Sequence, residues 1–534
     1  MTAPDWTSSS VGGLSASAAA AAGRNLRALA PLPEAMVRMS FAELGVLTRC
    51  PLIHRAAEDT PERAMAVADA ITRAQFWQEC VDVPVACQSQ VSFKQRKTPQ
   101  LFRPKDVRAA LRRARTRRRR SRSRVLARVS NMSRGSEQPR VVVVGGQFAG
   151  RRASRMLRRG GRIHVTLVDS KGFWEYTPGA LRCLVEPKAA RKMVQAQPRG
   201  TVRATAVGLE SAGSDTTVTG VKLNDGSNLP ADHVVIATGS SYPNPIKAPH
   251  DVASSPEERR AQIEAAHVTL VSAKSVVIVG GGTVGVELAA EIAGKWGRHK
   301  EVTLITPHDR LLERMPPRAG KLALRWLEKK GVWVVLNDRV EDWGGAPKDV
   351  AMLRPGGGNW NLRTEQGREL RASLVYPCIG GRSLPGPLKT RGVGKNGDIR
   401  VDMANGLRVE GFDNVYAAGD CCGTNEERNA FTADLNATAV ARGILASYRR
   451  KPVALSYPRS VCGQSTTPKI AVVSLHKRNA VMQFNGLVLG GPLPAFVKGL
   501  IEFFQVHSAL GTPGVTFVWD ALESTNVFLG RFLF

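Results

Sequence analysis

From Arg140 onward the chain alternates two textures. Short runs of β-branched residues, VVVV at 141–144, VVIV at 276–279 and VTLI at 302–305, give way to alanine-rich stretches whose apolar positions recur at helical spacing. Strands buried on both faces need apolar residues at every position, so the alternation predicts an α/β fold with parallel sheets. Upstream, residues 1 to about 93 mix helix-like stretches such as 61–80 with Pro and Ser breaks, and no chemistry attaches to them. Near the other end, PLPAFVKGLIEFFQVHSALG (492–511) predicts an amphipathic helix. Phe496, Leu500, Phe503 and Phe504 share a face, with Lys498 and Glu502 mostly opposite. The ordinary expectation is that this apolar face packs into a core, with lining a quinone entrance or lying on a membrane as the alternative.

Two stretches run from strand through a glycine turn into helix. A dinucleotide-binding turn places Gly at its first, third and sixth positions. In KSVVIVGGGTVGVELAAEIAG (274–294) Gly280, Gly282 and Gly285 fill all three, between a β-branched strand and an apolar-periodic helix, which predicts nucleotide binding. In VVVVGGQFAGRRASRMLRR (141–159) the places hold Gly145, Gln147 and Gly150, with Gly146, Phe148 and Ala149 between them. The Gln147 side chain is expected to crowd the approach of backbone to pyrophosphate. The strand after this turn ends at Asp169, 24 residues beyond Gly145, about the spacing of a ribose-binding acid. The strand after the second turn carries Thr306 there, with His308 and Arg310 behind it. Without an acid to repel a 2′-phosphate, NADPH is expected to be accepted beside NADH. Two more strand ends, Ala237-Thr238-Gly239 and Gly419-Asp420, follow in an order that chance seldom gives.

Charge and cysteine content alter little in this picture. The net charge of +31 is about half local: Lys94 to Arg128 holds sixteen basic residues and one acid. Such a tract favours a solvated linker, with contact to nucleic acid or anionic lipid as the alternative. No apolar run approaches the ~18 residues of a membrane span. The start is rich in Ser and Ala and poor in acids, the composition of a transit peptide or of a disordered tail; Thr2 stands where N-myristoylation needs glycine. The eight cysteines show no metal-ligand spacing, and a reducing compartment is expected, with Cys421 and Cys422 as two buried thiols.

The set of motifs resembles the two-dinucleotide-domain flavoproteins with a glutathione-reductase-like fold. Within them it is similar to the apoptosis-inducing-factor-like group, particularly the ferroptosis-suppressor type of NAD(P)H:quinone oxidoreductase, and next to type II NADH dehydrogenases. The stretches carrying it are VVIVGGGTVGVELAAEI, EVTLIT, GALRCLVEP, LVYPCIG, VEGFDNVYAAGDC and EYTPGALR. The resemblance implies two Rossmann-like domains, FAD-binding at 140–250 and 370–455 and NAD(P)-binding at 251–369. It leaves an N-terminal extension at 1–139, expected to be largely disordered, and a C-terminal α+β region at 456–534. It assigns Gly145, Gly146, Gln147, Phe148, Ala149, Gly150, Asp169, Ala237, Thr238, Gly239, Gly419 and Asp420 to FAD, and Gly280, Gly282, Gly285 and Glu287 to NAD(P)H. Glu287 would orient the nicotinamide or serve simply as an acid at a helix N-terminus. Arg428 would lie by the flavin pyrimidine edge or be solvated, and His233 is read as structural. No cysteine pair suits dithiol chemistry. Hydride transfer asks for orientation more than for an acid or base, so no catalytic residue is named. The implied activity passes electrons from NAD(P)H through FAD to a quinone-like acceptor, with peripheral membrane contact. The alternative is a non-catalytic scaffold bound to nucleic acid or lipid through the arginine tract. Location is expected to be cytoplasmic, membrane-associated or not, or mitochondrial or plastid if the start is a transit peptide.

Overall fold

The computed structural model describes residues 138–522 apart from Ser214, 250–254, Asn425, 450–456, 458–468 and Pro513. These lie in the second of two compact units, Thr98–Phe534. The 61–80 stretch, the arginine tract and the final NVFLGRFLF fall outside the described residues.

Two mixed sheets, parallel at their centres with antiparallel strands at one edge, carry the molecule. The larger has seven strands in the order Val401–Asp402, Arg408–Val409, Val415–Ala417, His233–Ile236, Arg140–Val144, His164–Asp169 and Val202–Arg203. The smaller has five: Trp333–Val335, Glu301–Ile305, Ser275–Val279, Leu374–Pro377 and Met352–Leu353. Both β-branched runs are central strands, and Val141 to Val144 and Val276 to Val279 are all buried. That is the burial their uninterrupted apolar character requires.

The halves are built alike. Each central strand pairs in parallel on one side with the strand that follows its helix, Val141 with Val165 and Val276 with Val302. On the other side it pairs with a strand that returns much later, Val141 with His233 and Val276 with Leu374. A three-stranded antiparallel unit precedes each return, Ala206–Ser211 to Asn228–Pro230 in one half and Val340–Asp342 to Glu369–Ala372 in the other. The neighbours of each central strand thus diverge at its C-terminal end, which is where open α/β sheets bind ligands.

The helix Phe148–Gly160 packs on Ala430–Arg449 through Ala153, Leu157, Ala437, Val440 and Ile444. Close approach is permitted at Gly160, where a Cβ would strike Leu445. The helix Pro256–Ser272 starts at Ser255, whose hydroxyl accepts from Glu258 N at 3.1 Å, with Pro256 in its first turn and Glu257 and Glu258 favouring the positive end of its dipole. It buries Arg259 completely. That guanidinium grips the Glu175 carboxylate at 2.9–3.2 Å and the Pro245 carbonyl at 2.9 Å, fixing the Phe173–Glu175 strand. The C-terminal region is a three-stranded antiparallel sheet, Ile470–Ser474, Ala480–Phe484 and Leu487–Gly491, leading into the helix Pro492–Ala509.

Candidate active site

The two glycine turns are the same object twice. Gly145 N donates to Val168 O at 2.7 Å and Gly280 N to Ile305 O at 2.8 Å; Ala237 N donates to Val144 O and Cys378 N to Val279 O, each at 2.7 Å. Gly145 and Gly280 have φ of +104° and +124°, and a Cβ on either would collide with the carbonyl of Ala237 or Cys378. Only glycine suits both demands. A Cβ at Gly150 would strike Gly145 O, and one at Gly285 would strike Gly280 O, so each third glycine lets helix lie on turn. The residues facing the second glycines are Asp169 beside Gly146 and Thr306 beside Gly281, which makes Asp169 and Thr306 structural equivalents.

Neither following helix has a side-chain cap at its N-cap, Gln147 or Gly282. Uncapped N–H groups on a positive dipole are what a pyrophosphate uses. Gln147, whose side chain is expected to crowd the approach to pyrophosphate, has that side chain held by the neighbouring strand. Its φ of −90° is accessible to any residue, and its side chain is drawn sideways: the amide NH2 donates to Phe173 O at 3.0 Å and Glu175 N donates to the amide oxygen at 3.1 Å. Phe148 sits in a ring cluster with Trp174 and Tyr176, with centroids 5.6 and 6.1 Å away, and Ala149 contacts the turn at Gly419.

Asp169 is buried, which pushes its carboxyl pKa upward against the opposing pull of hydrogen bonds from Lys171 N and Gly146 N. Its Oδ2 accepts from Gly146 N at 2.5 Å and its Oδ1 from Lys171 N at 2.8 Å. Gln197, which no sequence pattern singles out, adds donations to Gly146 O at 3.1 Å and Asp169 Oδ2 at 3.3 Å.

Asp420 follows Gly419, whose φ is +83° and whose N–H donates to Asn436 Oδ1 at 3.1 Å. The Asp420 carboxylate accepts from Ser240 Oγ at 2.8 Å, and Lys247 Nζ bridges both, 2.7 Å from Ser240 Oγ and 3.4 Å from Asp420 Oδ2. Sequence reasoning passed over Ser240 and Lys247, which lie on the loop just after Thr238 and Gly239. That loop is itself anchored, Thr238 Oγ1 donating to Leu384 O at 2.5 Å and Leu384 N to Gly239 O at 3.0 Å. Arg428 is exposed; it lines the same small cavity as Asp420, with its guanidinium 3.4 Å from Gly381 O. The cation nearest Asp420 is therefore Lys247. These residues fit FAD. Two glycines hold the turn open, an uncapped helix end awaits an anion, and buried Asp169 and part-exposed Asp420 stand at the ends of two strands of one sheet, with His233–Ile236 and Arg140–Val144 between them.

Glu287 does not face open space. Its Oε1 accepts from Ser474 N at 2.7 Å and pairs with Lys498, tying the second nucleotide helix to the C-terminal sheet and helix. One turn along, buried Glu291 meets His476 Nδ1 at 3.1 Å and Arg182 Nε at 3.9 Å, and Arg182 reaches Glu502 at 3.1 Å. Tyr176 belongs to the EYTPGALR segment. Burial raises its phenol pKa, and the charges of Glu502 and Glu287 raise it further. Three elements thus converge here: EYTPGALR, the nucleotide helix and the C-terminal helix.

That last helix is inside-out. Lys498 is 8% exposed, whereas Leu493, Phe496, Leu500 and Phe503 are 62, 63, 42 and 50% exposed. The expected apolar packing into a core is corrected for most of this face: the charges point inward because Glu287 and Arg182 await them, Phe496 and Phe503 point out, and only Phe504 is half-buried, stacked on Trp519 at 6.4 Å. At its far end Arg151 NH2 donates to Ala509 O at 2.7 Å and Arg155 to Ser508 Oγ at 3.0 Å, while Arg152 pairs with Asp520.

His233 is structural as expected. It packs at 5.9 Å from Tyr416 and 5.3 Å from Tyr448, and burial lowers its pKa to about 4. Cys421 and Cys422 are buried and free.

Comparison with known proteins places this geometry in context. The family model described as pyridine nucleotide-disulphide oxidoreductase matches residues 139–443. Ferroptosis suppressor protein 1 of Xenopus laevis is 31% identical over 360 residues, covering 66% of this chain and 91% of that protein. The protein of the same name from Taeniopygia guttata is 28% identical, covering 67% and 92%. Apoptosis-inducing factor homolog B of Dictyostelium discoideum is 28% identical over 58% of the chain and 81% of its own length. Among solved structures, the sulfide:quinone oxidoreductase from Aquifex aeolicus superposes with a TM-score of 0.56 at 16% identity, over 72% of this chain and 95% of that one, a likeness of fold.

Proposed function

Because the chain belongs to the pyridine nucleotide-disulphide oxidoreductase family and is an FAD-dependent oxidoreductase of NAD(P)H, we propose that its acceptor is a lipid-soluble quinone met at a membrane surface. FAD, when bound, would supply the hydride-accepting and electron-passing chemistry. The chain's own residues bind and orient. The Gly145 turn and the N–H groups of Phe148–Gly160 would hold the pyrophosphate, Asp169 the adenosine ribose, and Asp420, fixed by Ser240 and Lys247, the ribityl chain. The Gly280 turn would hold the nicotinamide dinucleotide, with Glu287 locked by Lys498 at the edge of its helix.

The inside-out C-terminal helix carries the acceptor assignment. An apolar stripe of Leu493, Phe496, Leu500 and Phe503 exposed to water is costly, at ~25 cal/mol per Å² of apolar surface. Laid against lipid it is favourable. The same helix reaches Glu287 and Arg182 on its inner side, so one element joins a lipid-facing surface to the redox junction. Among the described residues no helix is long and apolar enough to cross a membrane, and the proposed contact is peripheral. The resemblance to ferroptosis-suppressor-type enzymes implies the same acceptor class.

The test uses Phe496→Ser with Phe503→Ser, which leaves Lys498 and Glu502 in place. Reduction of a long-tailed quinone in vesicles should fall about tenfold, as expected when about 1.4 kcal/mol of interfacial burial is lost. Ferricyanide reduction by the same protein should not change. Equal effects on both acceptors, or none on either, would sink the assignment. The scaffold alternative rests on residues 94–128, outside the described ones. On this reading the working chain sits on a membrane facing the cytoplasm, or within a mitochondrion or plastid if its Ser/Ala-rich start acts as a transit peptide. Imaging a fusion with and without residues 1–34 separates the two.

A further inference from the structure

The second turn opens onto a cleft of about 230 Å³, enough for part of a dinucleotide. Gly280 stands at one end. Ile305, Val340 and Trp343 give it an apolar lining, and two exposed cations, Arg339 and Lys348, complete it. We propose that Arg339 and Lys348 bind the 2′-phosphate of an adenosine dinucleotide, making NADPH the preferred donor. The inference rests on the reading that this turn takes a nicotinamide dinucleotide, and it names residues that the sequence did not.

A phosphate-binding turn continuous with an apolar, indole-bearing cleft suits a pyrophosphate followed by a flat aromatic base. What distinguishes the two donors is the group that meets the ribose. In the first half that place holds Asp169; in the second its equivalent is Thr306, 1% exposed and uncharged. The one carboxylate lining the cleft is Asp338, whose side chain is buried and already engaged. It accepts from Arg339 N at 2.9 Å, Gln366 N at 3.4 Å and Arg368 Nε at 3.5 Å. It is therefore poorly placed to accept from a ribose hydroxyl.

The cations nearest in sequence do not serve either. Arg310 is turned away to Glu313 O at 2.8 Å and Asp309 at 3.2 Å, and neither it nor His308 lines the cleft. Arg339 and Lys348 do. The Arg339 partner, Glu365, lies 3.7 Å off with both side chains more than half exposed, an ion pair that contributes little and yields readily to a dianion. Lys348 rests over the Trp343 ring at 5.4 Å. The cleft thus presents positive charge without a free carboxylate, the pattern that accepts a 2′-phosphate.

The experiment titrates FAD-loaded full-length chain with 2′,5′-ADP and with 5′-ADP by calorimetry, beside kcat/KM for NADPH and NADH. Wild-type protein should bind 2′,5′-ADP at least about tenfold more tightly, the scale of one or two charge-assisted contacts. In Arg339→Ala/Lys348→Ala that preference should vanish while 5′-ADP affinity holds within about twofold, and Arg339→Lys/Lys348→Arg should restore most of it. Arg310→Ala should leave it intact. Equal binding of the two probes by wild type, a preference that survives the double alanine variant, or its loss in Arg310→Ala alone would each overturn the proposal. A wild-type chain that binds neither probe and oxidises neither NADH nor NADPH would instead overturn the donor reading beneath it.

Discussion

Gln147 and Gly282 occupy corresponding places, and at φ of −90° and −74° neither needs glycine for its backbone. What glycine offers there is an absent side chain, and Gln147 achieves the same clearance by bonding to the strand Phe173–Glu175. Gln147→Gly should therefore weaken FAD binding, by about tenfold if the two lost hydrogen bonds contribute near 1 kcal/mol each in part. Fluorescence titration of the apoprotein reads this directly, and tighter binding would contradict it. Gly145→Val meets two penalties together, a positive φ and a collision with the Ala237 carbonyl. It should purify without flavin absorbance while circular dichroism reports a folded chain. Lys247 acts on FAD through Asp420: Lys247→Met should raise the FAD Kd about tenfold in wild type and add little in Asp420→Asn, since coupled partners are non-additive. Full additivity would show that Lys247 acts alone.

At the scale of elements, the strands and the glycine turns were legible because each rests on a local demand: β-branched runs need two buried faces, and a collision forbids any Cβ at Gly145 or Gly280. The C-terminal helix was legible as a helix but not in its orientation. Lys498 and Glu502 look like a solvent face by composition. They turn inward because Glu287 and Arg182, roughly two and three hundred residues away in sequence, complete their charges. That buried pairing has an asymmetric signature. Lys498→Ala should destabilise the chain by about 3–5 kcal/mol by stranding Glu287, whereas Lys498→Met combined with Glu287→Gln should cost much less. Denaturant titration of the two variants checks the order, and equal losses would mean that the pair contributes by packing alone.

Across the molecule, the described first- and second-turn machinery and its supports, out to Ser474 and Lys498, lie downstream of Met132. A chain beginning at Met132 should therefore retain FAD and oxidise NAD(P)H at the full-length rate, as a visible spectrum before and after NADPH would report; loss of flavin on this truncation would tie the extension to the fold. By itself the sequence determined the α/β class, both dinucleotide turns, Asp169 and Asp420, since these follow from local sterics and from spacing along one strand–turn–helix unit. Tertiary structure alone decided which way the C-terminal helix faces, that Lys247 rather than Arg428 is the cation nearest Asp420, and that Arg339 and Lys348 rather than Arg310 line the cleft beside the second turn. Those are questions of which distant charges meet. Coulomb pairing and desolvation act through space, and neighbours along the chain carry no record of them.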